Sequence, residues 1–218
     1  YAALAHIRTA SSGDPVIAWD NHGRVFMGSE SSDDPEGTKK TFGDVWVAVF
    51  DNPDVGTVNT LNDGKRFVRS EVVAKGTSAP NLLGKFHDKT AIEADRTGGT
   101  CDGNAYFAWS RFTGNAGDVS IYFSRSTDHG ATWSKPANLS PNIHDVQFPD
   151  ISITANGNVY VTFRQFAAQG NQPDAIVYAK STDCGRSFSS PSMVTTITPY
   201  DAHDVSVSGG TARDCGDF

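Results

Sequence analysis

Positive charge is scarce in this chain. Eighteen lysines and arginines stand against 25 aspartates and glutamates, a formal balance of −7 at neutral pH. A nucleic-acid groove needs a concentrated positive field, and no basic run supplies one, so no nucleic-acid partner is expected. Long hydrophobic runs are also missing; nothing approaches the ~20 apolar residues that span a bilayer as a helix. No run of helical period reaches a normal helix length, which removes the helical and α/β classes. Cysteine is limited to Cys101, Cys184 and Cys215. In an oxidising compartment that odd number leaves one thiol free or paired outside the chain. The sequence begins at Tyr1 without an initiator Met and shows no signal peptide, so a removed or unseen N-terminal segment is expected.

What is plentiful is turn chemistry. The 218 residues include 21 Gly, 10 Pro and 11% aromatics, a composition suited to many short strands around a sizeable core. Only Ser29 to Lys40, with its polar centre Glu30 to Gly37, lacks apolar residues to bury and reads as disordered. Asn138-Leu139-Ser140 is a glycosylation sequon, a triplet that also arises by chance.

Two octamers follow one pattern. Ser126-Thr127-Asp128-His129-Gly130-Ala131-Thr132-Trp133 and Ser181-Thr182-Asp183-Cys184-Gly185-Arg186-Ser187-Phe188 both read Ser-x-Asp-x-Gly-x-(Thr/Ser)-aromatic. A worn third copy runs from Thr60 to Phe67, with Asn62 in the acidic place and Gly64 in the glycine place. Hydroxyl and carboxylate bond nearby backbone N–H groups, glycine takes a positive φ, and the aromatic anchors the outgoing strand. This is the chemistry of a tight hairpin turn, so Ser126, Asp128, Gly130, Trp133, Ser181, Asp183, Gly185 and Phe188 are read as structural.

The repeat extends beyond the turn. The step from Asn62 to Asp128 is somewhat longer than the step from Asp128 to Asp183, and both are of blade length. Before each octamer comes an apolar strand (Pro15–Trp19, Thr90–Ala94, Asp150–Thr154), then a turn at Gly23, Gly103 or Gly157. A second strand follows (Arg24–Met27, Asn104–Trp109, Asn158–Phe163), then a polar loop and a third (Val45–Phe50, Ser120–Ser124, Ala175–Lys180). A short fourth strand ends near Val73, Leu139 or Val194. Four short strands in each unit of roughly 50–65 residues predict an all-β protein, a β-propeller of four-stranded antiparallel blades. The units fall at about 14–74, 88–140 and 146–195, with a partial unit at 200–218, in one domain covering 1–218. A closed ring needs more blades than these, so the remainder of the same polypeptide is expected to be missing.

The octamers resemble the Asp-box, or bacterial neuraminidase repeat, of sialidase-like β-propellers. The likeness covers Asp14 to Val194 and includes phrases such as Tyr106-Phe107-Ala108-Trp109-Ser110-Arg111-Phe112. The resemblance implies a six-bladed ring, a secreted or extracellular location, and glycoside hydrolysis of an acidic or complex carbohydrate. The alternative it leaves open is a non-catalytic propeller that binds carbohydrate or protein. Sialidases hold the substrate carboxylate with three arginines and use an Asp acid/base with a Tyr–Glu nucleophile. The family's early Arg-Ile-Pro is absent here, since His6-Ile7-Arg8-Thr9 does not match, and no Tyr–Glu pair is assignable.

Blade topology puts the loops entering first strands and leaving second strands opposite the octamer turns, near the axis. Three His-Asp pairs fall there at nearly even spacing, one to a unit: His87-Asp88, His144-Asp145 and His203-Asp204. Imidazole beside carboxylate can ligate a metal, work as acid and base, or form a hydrogen-bonding rim for sugar hydroxyls. It can equally cap its own loop. Arg111 and Arg164 leave the second strands and could fork onto a carboxylate, or pair with the loop acids Asp118 and Asp174. Trp46 and Trp109 read as blade core. The expectations are therefore substrate binding by Arg111, Arg164, His87, His144, Asp145, His203 and Asp204, and acid/base work by Asp88, a carboxyl that its neighbours His87 and Lys89 can tune. A carbohydrate ligand is expected, with no metal and no cofactor.

Overall fold

The computed structural model describes residues 11–32, 43–51, 66–77, 84–114, 118–167 and 172–198. The worn octamer's Asn62 and Gly64, the His203-Asp204 pair, Cys215 and the partial unit at 200–218 lie outside them. Within the described residues the elements are twelve strands. The first blade holds β1 (Ser11–Trp19), β2 (Arg24–Ser32), β3 (Asp44–Asp51) and β4 (Arg66–Ala74). The second holds β5 (Lys85–Ala94), β6 (Ala105–Thr113), β7 (Asp118–Ser126) and β8 (Ala137–Asn138). The third holds β9 (Val146–Ile153), β10 (Val159–Gln165), β11 (Ala175–Ser181) and β12 (Ser192–Thr196).

Each blade is a four-stranded antiparallel meander in chain order. Strand β5 packs against β1 on one side and β9 on the other, so the first strands converge on a common axis. The described residues form an all-β propeller assembly of three successive blades. Gly23, Gly103 and Gly157 all take positive φ between first and second strands, as the turns predicted there require.

One segment differs from expectation. Ser29–Ser32 is not an irregular start to a polar loop; it completes β2, paired with β1 on one side and β3 on the other. Sheet pairing satisfies its backbone, and the Ser29 hydroxyl donates to the carbonyls of Gly13 and Glu30. Composition missed this because polar side chains do not forbid a strand flanked on both edges.

Side chains from facing blades make two cores. Between the first and second blades lie Phe26, Val45, Val47, Val49, Phe107, Trp109 and Tyr122. Between the second and third lie Tyr106, Ala108, Ile121, Phe123, Val159, Val161 and Phe163. Central strand β6 is buried along both faces from Ala105 to Ser110, which explains its continuous apolar run. Outer strand β12 is exposed throughout.

The two octamers fold bond for bond alike. The Ser126 hydroxyl donates to Asp128 (2.7 Å) and accepts from Gly130 N–H (2.8 Å); Asp128 also accepts from the N–H and hydroxyl of Thr132 at 2.8 and 2.6 Å. The second copy repeats this with Ser181, Asp183, Gly185 and Ser187 at 2.8, 2.9, 2.9 and 2.6 Å. Two consecutive residues take positive φ in each, His129 with Gly130 and Cys184 with Gly185. Each aromatic turns back into its own blade or the one it docks on, Trp133 against Phe107 and Phe188 against Phe123.

The glycines also serve the packing. A Cβ on Gly130 would lie 2.6 Å from Val49 of the first blade, and one on Gly185 would lie 3.0 Å from both Phe123 and Tyr106 of the second. Each turn therefore docks on the blade before it. The residue preceding the glycine finishes the contact. Cys184 forms a disulfide with Cys101 in the β5–β6 turn, across a sequence separation of 83. At the equivalent junction one blade earlier, His129 stands 5.8 Å from the His22 ring and 3.8 Å from Asp20. His22 meets Asp102 at 3.1 Å there. A covalent bond and a histidine–carboxylate cluster occupy the same architectural place.

Two stability measurements follow. Asp128 is exposed, so water can replace part of what Asp128→Ala removes; urea unfolding should show a loss of about 1 kcal/mol. Cys184→Ser should cost about 2–5 kcal/mol, because the disulfide closes a long loop in the unfolded chain. Equal unfolding midpoints for Cys184→Ser and the parent would show that the bond adds nothing to blade docking.

Candidate functional site

A kink recurs on the innermost strand of every described blade. Register breaks between Gly13 and Val16 on β1, between Asp88 and Ala91 on β5, and on β9 where two residues face Phe163 alone. The first bulged residue is left-handed each time: Asp14 (φ 43), Lys89 (φ 55) and Phe148 (φ 58). That region costs a non-glycine residue about 1–3 kcal/mol, so packing must hold all three bulges. The kinks bring a carboxylate, an ammonium and an aromatic ring to equivalent positions in three neighbouring blades.

Asp14 and Lys89 interlock the first two blades. Asp14 accepts from the Lys89 backbone N–H at 3.1 Å and from its Nζ at 3.5 Å, while the Thr90 hydroxyl donates to the Asp14 carbonyl at 2.6 Å. Asp88 is buried and lies 3.5 Å from the same Nζ. Glu30 reaches into this group from β2, across a β-pair with Gly13; a Cβ on Gly13 would lie 2.9 Å from Glu30 Oε1. Carboxylate oxygens of Asp14, Glu30 and Asp88 all fall within 4.8 Å of one another. Three acidic oxygens so close could hold a cation, and the Lys89 ammonium already serves as one.

The electrostatics separate these carboxyls. Burial, then repulsion from Asp88 and Asp14 and a hydrogen bond to Asp88, push Glu30 up to about 9. At neutral pH Glu30 is a carboxylic acid donating to Asp88. Burial would lower Lys89, but Asp88 and Asp14 outweigh it, and the net shift is upward. Glu30 thus keeps its proton beside Asp14, Asp88 and the Lys89 ammonium.

Of the residues singled out from sequence, Asp88 is the one placed in this group. His87 is turned into the seam between the first and second blades, 3% exposed, edge-on to Trp109, with Nδ1 unpartnered. Burial and the nearby Arg111 depress it to about 3, so it stays neutral in ordinary buffers. His144 is exposed and its Nδ1 meets Asp118 at 3.2 Å. The Asp145 carbonyl accepts from Phe166 N–H, and its own φ is 51.

The His-Asp spacing does not follow the blades. Asp88 is the last paired residue before its bulge, and its counterpart in the third blade is Gln147. His144-Asp145 therefore sits earlier in its blade than His87-Asp88 does. The arginines are offset as well. Arg164 pairs with Gln147 and so corresponds to Ser110 and to Glu30, whereas Arg111 corresponds to Gln165. A one-residue offset sends two side chains to opposite faces of their sheets. Arg111 lies over Tyr122 with Cζ 3.6 Å from the ring centroid. Arg164 is 5% exposed, pairs with Asp174 at 3.1 Å and lies over Phe166 at 4.1 Å. The structure does not bring the two guanidiniums together.

Asp14, Glu30 and Lys89 are the members of the axis group that motif reading passed over. For Asp14 and Lys89 the signal is the bulge itself: Asp14-Pro15 and Lys89-Thr90, like Phe148-Pro149 in the third blade, each precede an apolar strand. The near-even recurrence of His-Asp masks this signal, because the step from Lys89 to Phe148 is slightly longer than the step from His87 to His144.

No family model matches the sequence, and no curated protein matches it either. Solved structures do match in shape. A Hadza microbial sialidase superposes with a TM-score of 0.58 at 13% identity, over 85% of this chain and 38% of its own. An α-L-arabinofuranosidase from Fusarium graminearum gives 0.52 at 14% identity, over 88% and 52%. A Penicillium chrysogenum α-L-arabinanase complexed with arabinobiose gives 0.52 at 14%, over 87% and 53%. The shared fold is the β-propeller. The chain spans about a third to a half of the structures it matches.

The shift at Glu30 gives a sign that can be tested. Its folded pKa of about 9 lies above the ordinary 4.5, so the folded state binds the extra proton. The associated stability is complete below about pH 4.5 and is lost as pH rises toward 9. Glu30→Gln keeps a neutral side chain throughout. Its melting temperature relative to the parent should rise steadily between about pH 5 and pH 9, and a pH-independent difference would contradict the protonated assignment.

Proposed function

We propose that the protein is a glycoside hydrolase, with bond cleavage on the propeller axis at Asp14, Glu30, Asp88 and Lys89. The observation that carries this reading is the gathering of the Asp14, Glu30 and Asp88 carboxyl oxygens within 4.8 Å of one another beside the Lys89 ammonium. Glycosidic cleavage needs a proton for the leaving oxygen and a carboxylate beside the developing oxocarbenium ion. Glu30 holds the proton, and Asp14, the most open of the three with 38% of its side chain exposed, presents the carboxylate. Burial and repulsion from Asp88 hold the proton on Glu30. With Glu30 protonated, two carboxylates outweigh one ammonium by a single negative charge, which favours a cationic transition state.

The oxygen separation, within 4.8 Å, is nearer the roughly 5–5.5 Å of retaining enzymes than the roughly 6.5–9.5 Å of inverting ones. We assign a retaining course, with Asp14 as nucleophile and Glu30 as acid and then base. The surplus negative charge and the engagement of Arg164 with Asp174 favour a neutral glycoside over the acidic sugar of the sialidase-like reading. Likeness of fold to a sialidase, an α-L-arabinofuranosidase and an α-L-arabinanase is consistent with either. The Cys101–Cys184 disulfide supports a secreted location, since such bonds persist in oxidising compartments. Further blades in the same polypeptide would complete the ring and the rest of the site.

The test uses the full-length protein and 4-nitrophenyl glycosides of arabinofuranose, xylose, galactose and N-acetylneuraminic acid. Glu30→Gln and Asp14→Asn should each lower kcat about 10²–10⁴-fold, and wild-type activity should fall as pH rises through about 9, where Glu30 loses its proton. Full activity in both variants would remove the cluster from catalysis. Sugar binding without turnover of any glycoside would identify a carbohydrate-binding propeller instead.

A further inference from the structure

The third axis position carries Phe148, which has no part in proton transfer. The residue is 36% exposed, one of the few large apolar residues so open among those described. The backbone beneath it is left-handed (φ 58), a conformation that a bulky aromatic residue rarely occupies. Lys89 Nζ stands 5.9 Å from its centroid, and the Phe166 ring lies 6.2 Å away. That same Nζ is 3.5 Å from both Asp14 and Asp88, so Lys89 stands between Phe148 and the carboxyl cluster. Thus the bulge directs an apolar ring to the place where the two preceding blades direct charges.

The geometry points to Phe148 as the stacking platform of a sugar subsite, receiving the C–H face of a neutral pentose or hexose beside the axis carboxyls. This rests on the glycoside-hydrolase reading for its ligand class and adds the residue that selects it. An aromatic face with no polar handle attracts the C–H face of a sugar and has no preference for a carboxylate. Lys89, held beside the ring by two carboxylates, can donate to a sugar hydroxyl while the ring covers the apolar face. The left-handed bulge turns the ring toward the axis, whereas a phenylalanine on an unkinked strand would point into a blade face.

Binding, not turnover, is the measurement that decides this. The probes are methyl β-D-xylopyranoside, methyl α-L-arabinofuranoside, methyl β-D-galactopyranoside and N-acetylneuraminic acid, followed by saturation-transfer-difference NMR on the full-length protein. At least one neutral sugar should bind, with the protons of one ring face receiving most of the saturation, and N-acetylneuraminic acid should bind more weakly. Phe148→Ala should weaken that sugar at least tenfold, while Phe148→Trp should stay within threefold of the parent. Phe148→Gly separates function from folding, because glycine adopts a positive φ freely. It should keep or raise the melting temperature and lose the sugar. Unchanged affinity in Phe148→Ala, a large fall in melting temperature with binding intact in Phe148→Gly, or no neutral sugar bound by the parent would each overturn the proposal. The two readings fail separately. Stacking on Phe148 without hydrolysis would remove catalysis alone, and hydrolysis unaffected by Phe148→Gly would remove the platform alone.

Discussion

A single left-handed residue on each innermost strand governs the centre of this molecule. An unbroken strand would alternate its side chains between the two blade faces, leaving none for the axis. Two residues opposing one on the partner strand break that alternation. The bulges at Asp14, Lys89 and Phe148 therefore create the inner surface. They are also the seam of the structure, because Asp14 receives both a backbone and a side-chain donor from Lys89 of the next blade. Charges placed so close would disrupt the assembly if all were ionised. The proton on Glu30 is what makes the arrangement tenable.

Away from the axis the blades are joined by apolar packing and by docking of each octamer turn on the preceding blade. The turn has two tasks that a single glycine links. Its backbone needs positive φ at Gly130 and Gly185, and its missing side chain leaves room for Val49 or for Phe123 and Tyr106. A repeat kept for local turn geometry thus also spaces the blades. That is why the octamer carries so much sequence signal while standing far from the axis group.

The fold was legible because turns and apolar strands repeat in the sequence itself. Gly, Asp and Ser have local reasons to occupy turn positions, and those reasons do not depend on the rest of the chain. The axis group was only half legible. Asp88 was found through its neighbour His87, yet His87 is core, buried against Trp109. Glu30 was hidden in a polar run, since nothing local shows that Ser29–Ser32 will be paired on both edges. Its protonation arises first from burial, then from Asp88 in the next blade and Asp14 on a neighbouring strand, and neither carboxylate stands near it in the sequence. Arg111 and Arg164 show the opposite failure: similar words, Trp-Ser-Arg-Phe and Phe-Arg-Gln-Phe, differ by one register step and so face opposite ways. Identity of residue type survives such a slip, and orientation does not.

The Cys101–Cys184 bond makes the second and third blades one covalent body at their outer turns. The first blade has no cysteine with which to do the same; His22, Asp102, Asp20 and His129 hold that junction by contacts that break and reform freely. Among the described residues, the seam between the first and second blades is thus the one closed without a covalent tie. Asp14 and Glu30 stand on one side of that seam, with Asp88 and Lys89 on the other. Any widening there separates the carboxyls, lets water reach Glu30 and releases its proton. The acidity of the axis is thus a gauge of how tightly two blades are closed.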